Sequence, residues 1–204
     1  APATLPFDEG HKRERELLAQ CMQSTQSKAQ IHVFFSEREV TKIPDVPKET
    51  PVKTIASAAV SGAGTMGGGI AMSLANIGIP VTLIDASPQG LDRGIQRVKD
   101  NYDGSVSRGK LGPAERDQRL ALITGSLQMA DVRAADMVIE AVFEDMDLKR
   151  GIFRELDTLA KPGAILATNT SGLDVDEIAA ETSRPQDVVG AHLFSAAHGM
   201  KLLG

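Results

Sequence analysis

From residue 54 onward, short apolar runs alternate with longer stretches in which apolar residues recur every three or four positions. The runs predict strands near 55–61, 80–85, 123–126, 136–142, 164–168 and 188–194. The intervening periodic stretches predict helices near 65–78, 88–108, 113–121, 146–160 and 174–182. Regular strand–helix alternation, with runs too apolar to leave either face in water, predicts a parallel sheet covered by helices on both sides. Residues 9–43 read differently. HKRERELLAQCMQ and then QSKAQIHVFFSEREVTKI are charge-rich and helical, and Ile31, Phe34 and Phe35 share one helix face at i, i+3, i+4 spacing. That face predicts either docking on a neighbouring domain or packing against residues 51–204. Pro44, Pro47 and Pro51 then fix φ and remove backbone donors, so IPDVPKETP reads as an extended linker.

Composition narrows the class without adding chemistry. The chain of 204 residues is 42% hydrophobic and 24% charged, and it holds no apolar run near the roughly 18 residues a membrane span needs. A net charge of −5 with no local basic patch excludes a general attraction to nucleic acid. Cys21 is the sole cysteine, which rules out an internal disulfide and fits a reducing compartment. The start APATLPFDEG lacks the basic-then-apolar order of a secretory signal. Because it does not begin with Met and MKLLG brings no stop or capping signal, the chain reads as a piece of a longer protein.

The strongest local signal is AAVSGAGTMGGGIAMSLANIGIPVTLID, a GxGxxG between a short apolar strand and an apolar helix. Gly62 permits the tight turn, Gly64 lets backbone approach a pyrophosphate, and Gly67 lets the helix pack closely on the strand. The N–H groups of residues 65–67 and the helix dipole favour phosphate charge. Asp85 ends the second strand 23 residues after Gly62, near the spacing of about 20 expected of an acid that accepts hydrogen bonds from the adenosine ribose and repels a 2′-phosphate. The pattern predicts NAD rather than NADP. A glycine turn used only for packing is the alternative, and Ser61 is a departure where a β-branched residue would suit a buried strand.

Three more segments, VIEAVFEDMDLK, ATNTSGLDVDEIA and GAHLFSAAHGMKLL, join GAGTMGGGIA in fixed order. Over 54–203 the chain resembles the NAD-binding domain of the L-3-hydroxyacyl-CoA dehydrogenases, most closely the version within multifunctional fatty-acid β-oxidation proteins. LPFDEGHKRERELL and the helix ending FFSEREVTKIP resemble the segment that joins enoyl-CoA hydratase to dehydrogenase there. The resemblance implies an α/β, Rossmann-type doubly wound, mainly parallel sheet over 54–204, preceded by a helical linker segment over 1–53. An all-helical C-terminal dehydrogenase domain and an N-terminal hydratase domain are then expected as partners outside this chain. L-3-hydroxyacyl-CoA is the implied substrate and NAD the implied cofactor, with no metal, nucleic acid or membrane. A bacterial cytoplasm is the simplest setting, with peroxisome or mitochondrion as alternatives.

Residue by residue, the resemblance implies that Gly62, Gly64, Met66, Gly67 and Asp85 contact the adenosine side of NAD. Val142, Glu144 and Lys149 fall near its nicotinamide half. Ser171 contacts both substrate and cofactor, and Ser195 borders the nicotinamide. His192 matches the catalytic base. Oxidising C3 of a hydroxyacyl thioester requires the hydroxyl proton to leave with the hydride, which calls for a base titrating near neutrality. His192 lies at the carboxyl end of a predicted strand, where open α/β sheets place their crevice. His11 and His32 lie in the helical appendage, and His198 is the competing base. Glu144 and Lys149 have an alternative reading as a surface pair at a helix start. Leu193 and Ala196 replace an aromatic residue and a proline of the family pattern, and Gly204 stands where a glutamate usually orients the histidine. Arg108 and Lys110 could meet CoA phosphates, although a solvated basic cluster is the simpler reading. Two other functions remain open from sequence: a non-catalytic NAD-binding and interaction fragment, and a related dehydrogenase acting on another hydroxyacid.

Overall fold

A computed structural model describes residues 4–40, 42, 43, 46, 47, 49–195, 197–200 and 203. Pro44, Ala196 and Gly204, each singled out in the sequence, lie outside the described residues. Contacts divide the chain into two units, Ala1–Val52 and Lys53–Gly204. In the first, α1 (Phe7–Gln23) and α2 (Thr25–Glu39) touch one another. The two helical stretches part at Ser24, whose extended backbone ends α1 and whose hydroxyl accepts from the Ser27 N–H to start α2. Ile31, Phe34 and Phe35 are all exposed within this unit. His11 and His32 each contact a residue one helical turn on, Arg15 and Ser36.

The second unit alternates as the hydrophobic pattern predicts: β1 (Ala58–Ser61), α3 (Thr65–Asn76), β2 (Val81–Ile84), α4 (Pro88–Ser107), α5 (Pro113–Ala121), β3 (Ile123–Ser126), β4 (Met137–Glu140), α6 (Met146–Leu159), β5 (Ile165–Thr168), α7 (Val175–Ala179) and β6 (Val188–Gly190). Two short 3₁₀ turns, Met129–Ala134 and Pro185–Asp187, complete it. Helix starts follow the chain's chemistry. Ser87, Asp145 and Asp174 cap α4, α6 and α7 with side-chain oxygens, and Pro88 and Pro113 occupy first-turn positions of α4 and α5.

The sheet order is β3-β2-β1-β4-β5-β6, and all five pairings are parallel. This is the doubly wound order whose connections reverse direction between β1 and β4. Alternate residues face opposite layers. Ala59, Val138 and Leu166 meet Phe153 and Leu156 of α6, while Val60, Leu83, Ile139 and Ala167 meet Ile70 and Ala71 of α3. Each of the larger side chains contributes about 1.5–3 kcal/mol by leaving water. Buried Tyr102 fastens α4 to α3 by donating to the Asn76 side-chain oxygen at 3.0 Å, and burial raises its phenol to about 12. At the entry to β1, Asp136 accepts from the Ala56 and Ser57 N–H groups and from Lys161. Ser61 is buried at the end of β1 and pairs in register with Ile84 and Glu140 without breaking the strand.

The expected last strand, 188–194, stops at Gly190. Beyond it the Leu193 N–H donates to the Asn169 side chain at 2.7 Å, and Leu193 forms an antiparallel bridge with Leu203. His192 therefore sits on a loop just past the sheet rather than on the strand.

Candidate cofactor and active-site crevice

Where β1 and β4 part, three glycines meet three different constraints. Gly62 has φ +102°, and a Cβ there would lie 2.7 Å from the Ala141 carbonyl oxygen. A Cβ on Gly67 would come within 1.7 Å of the Gly62 carbonyl oxygen, so α3 crosses β1 only because that position is bare. Gly64 has nothing within 4 Å and has ordinary φ of −68°, which leaves an open cradle rather than a packed one. Gly64 is also the N-cap of α3 and offers no side-chain acceptor, so the first N–H groups of the helix have no side-chain cap. An open cradle beside uncapped donors is suited to an anionic group such as a pyrophosphate. Asp85 lies alongside: its carboxylate accepts from the Ala63 and Ser87 N–H groups, both at 2.9 Å, and so ties the glycine turn to the end of β2.

The other predicted residues converge from the first turn of α3 and from the ends of β4, β5 and β6. Met66, Val142, Glu144, Ser171, His192 and Ser195 line one cleft of about 280 Å³, together with Ala141, Asn169, Leu193 and Phe194. The His192 ring rests against Phe194 with centroids 4.5 Å apart. His198, the competing base, is exposed and lines a separate cleft with Ser73, Asn76 and Met200. Arg108 and Lys110 are exposed just beyond α4. Among the described residues, no group of three His, Cys, Asp or Glu side chains could hold a metal ion.

Glu144 organises the β5–α7 turn. One of its oxygens accepts from the Thr170 hydroxyl at 2.5 Å, the Ser171 N–H at 2.9 Å and, at 3.3 Å each, the Ser171 hydroxyl and the Gly172 N–H. Partial burial opposes its ionisation, yet the Thr170 and Ser171 hydrogen bonds and the Lys149 charge outweigh it and hold the carboxyl at about 2. The reading of Glu144 and Lys149 as a surface pair is corrected here. Lys149 is only 1% exposed, because β4 carries a second carboxylate beneath it, Glu140, which is 0% exposed.

Glu140, Asn169 and Thr170 are absent from the sequence-based candidates. A signal existed for the first: an acid inside the apolar run VIEAV cannot be buried without a cation nearby. Asn169 and Thr170 carried none beyond their place in NTSG.

Comparisons with known proteins place the whole domain. The family described as 3-hydroxyacyl-CoA dehydrogenase, NAD binding domain, matches residues 57–204. A peroxisomal bifunctional enzyme of Danio rerio is 44% identical over 205 residues, which cover 98% of this chain and 28% of that protein. A peroxisomal fatty acid beta-oxidation multifunctional protein of Oryza sativa is 38% identical over 195 residues, covering 95% and 27%. The solved (S)-3-hydroxybutyryl-CoA dehydrogenase of Ralstonia eutropha superposes with a TM-score of 0.72 at 36% identity, covering 74% of this chain and 53% of that one. The chain thus spans a little over a quarter of the length of these multifunctional relatives.

Proposed function

The chain belongs to the 3-hydroxyacyl-CoA dehydrogenase family through its NAD-binding domain, and on that premise we propose that it serves NAD-dependent oxidation of L-3-hydroxyacyl-CoA to 3-ketoacyl-CoA. The supporting observation is that Glu144, Ser171 and His192, far apart in sequence, line a single cleft beside the glycine turn. When bound, NAD would supply the acceptor for the hydride that leaves C3. His192 takes the hydroxyl proton, and the Ser171 hydroxyl, turned from its 3.3 Å contact with Glu144, donates a hydrogen bond to the same oxygen. The glycine turn with Met66 and the uncapped α3 start would hold the adenosine side and pyrophosphate, Asp85 would accept from the adenosine ribose hydroxyls, and Val142 and Ser195 would flank the nicotinamide half.

The multifunctional relatives support a place for this chain in a longer protein, with a hydratase domain before it and a helical dehydrogenase domain after it. Their peroxisomal names favour a peroxisome over the bacterial cytoplasm. Acetoacetyl-CoA reduction by NADH, followed at 340 nm in the longer protein, tests the assignment. His192→Gln should lower kcat about 10²–10⁴-fold, as the loss of a general base does, with NADH affinity kept. NADH binding without any acetoacetyl-CoA reduction in the wild type would refute the assignment. Preference for free 3-hydroxybutyrate over its CoA thioester would remove the thioester.

A further inference from the structure

Behind the cleft lies a buried ion pair that the chemistry at His192 leaves unused. The Lys149 ammonium donates to both Glu140 oxygens, at 2.7 and 2.9 Å, and stands 3.4 Å from the second oxygen of Glu144. Glu140 also accepts from the Val142 N–H at 2.8 Å and the Thr168 hydroxyl at 2.6 Å. Three donor groups make four hydrogen bonds to the Glu140 carboxylate, and Lys149 faces two carboxylates. Neither side chain reaches solvent, whereas the Glu144 side chain is 41% exposed. A buried pair is often no more stabilising than apolar residues of the same volume, so stability alone is a poor reason for placing one here. The three groups carry a net charge of −1, and the exposed part of it is the Glu144 carboxylate at the cleft wall. The base His192 lines the same wall, which is where a reacting ring must lie.

We propose that Glu140 is a positioning residue: by fixing the Lys149 ammonium it sets the Glu144 carboxylate against the nicotinamide ring of NAD. The inference rests on the cleft taking NAD, as proposed above. Its energy route is geometric. With Glu140 neutralised, Lys149 loses its two-oxygen anchor and is drawn toward Glu144, which pulls that carboxylate away from the Thr170–Gly172 turn.

The 204-residue chain with Glu140→Gln tests this by NADH fluorescence titration and by competition with ADP-ribose, which lacks the nicotinamide. NADH should bind about tenfold more weakly, a coupling within the range of contacting residues, and ADP-ribose should bind as before. In a Glu144→Gln background, Glu140→Gln should add less than about a twofold loss. Unchanged NADH affinity, equal loss of both ligands, or a full additional loss in the Glu144→Gln background would each overturn the positioning role. Should Glu140→Gln fail to fold, Thr168→Val removes one donor to Glu140 at nearly constant shape. It should weaken NADH two- to threefold and leave ADP-ribose alone, and no change would overturn the proposal. Wild-type chain that binds neither ligand would instead sink the NAD reading itself, together with what rests on it.

Discussion

The two ends of the crevice are built in opposite ways. The glycine end works by omission: bare positions let a helix cross a strand, and uncapped N–H groups supply the polarity. The end toward His192 works by addition, with two buried charged side chains and a Thr–Ser–Gly turn stacked behind one exposed carboxylate. Omission tolerates no added atom, while addition tolerates no missing charge.

Lys149→Met should expose that difference most strongly. It strands Glu140 in the interior without a cation, at a cost of about 3–5 kcal/mol, and calorimetry should show Tm falling by roughly 10 °C for a domain of this size. A fall under about 3 °C would mean that the charged end is not held as described. Gly67→Ala attacks the other end. Its Cβ has no room beside the Gly62 carbonyl, so α3 must shift, costing about 1–3 kcal/mol and most of the NADH affinity in titration. Gly64→Ala sharpens the contrast, because its Cβ meets no protein atom. Tm should stay within about 2 °C, in keeping with surface changes of under about 0.5 kcal/mol. NADH should nevertheless bind about tenfold more weakly, and unchanged affinity would show that the cradle does not receive the pyrophosphate.

The smallest effect is the response to acid. Glu144 titrates at about 2 in the folded chain against an ordinary 4.5. A depressed carboxyl adds stability that is fully present above about pH 4.5 and is lost as the pH falls from there through 2. Because 41% of the side chain is exposed, solvent screening makes the slope shallow. Thermal melts of wild type and Glu144→Gln should therefore converge over that window, and parallel curves would contradict the hydrogen-bond account.

The sheet and the glycine turn are legible in sequence for one reason. Strands buried on both faces must be apolar runs, and two of the turn's three glycines, Gly62 and Gly67, answer a steric demand that no other residue meets. The charged end is less legible. VFEDMDLK displays Glu144 and Lys149, but not that Lys149 points inward, because its principal partner sits nine positions earlier in a strand. Glu140 breaks an apolar run, and burial turns that irregularity into a requirement for Lys149. The shortened β6 is hidden for a similar reason: GAHLF carries strand-like residues, yet the Asn169 side chain takes the Leu193 N–H that a longer strand would have committed to its ladder. In the first unit the break at Ser24 is a capping event inside a continuous run of helix formers, visible only as a serine among polar residues.

The strand order also schedules how the domain is made. Ala58 pairs with Val81, 23 residues on, and with Met137, 79 residues on. At synthesis rates of about 5–20 residues per second, one edge of β1 waits roughly 4–16 seconds for its second partner. An exposed edge is a template for wrong pairing, and a strand of only four residues offers a poor one. Until β4 arrives, the Ala141 carbonyl that confines Gly62 is missing. A nascent chain carrying the complete glycine motif would thus remain unable to retain a dinucleotide, and binding competence would appear late, as a sign that both halves have joined.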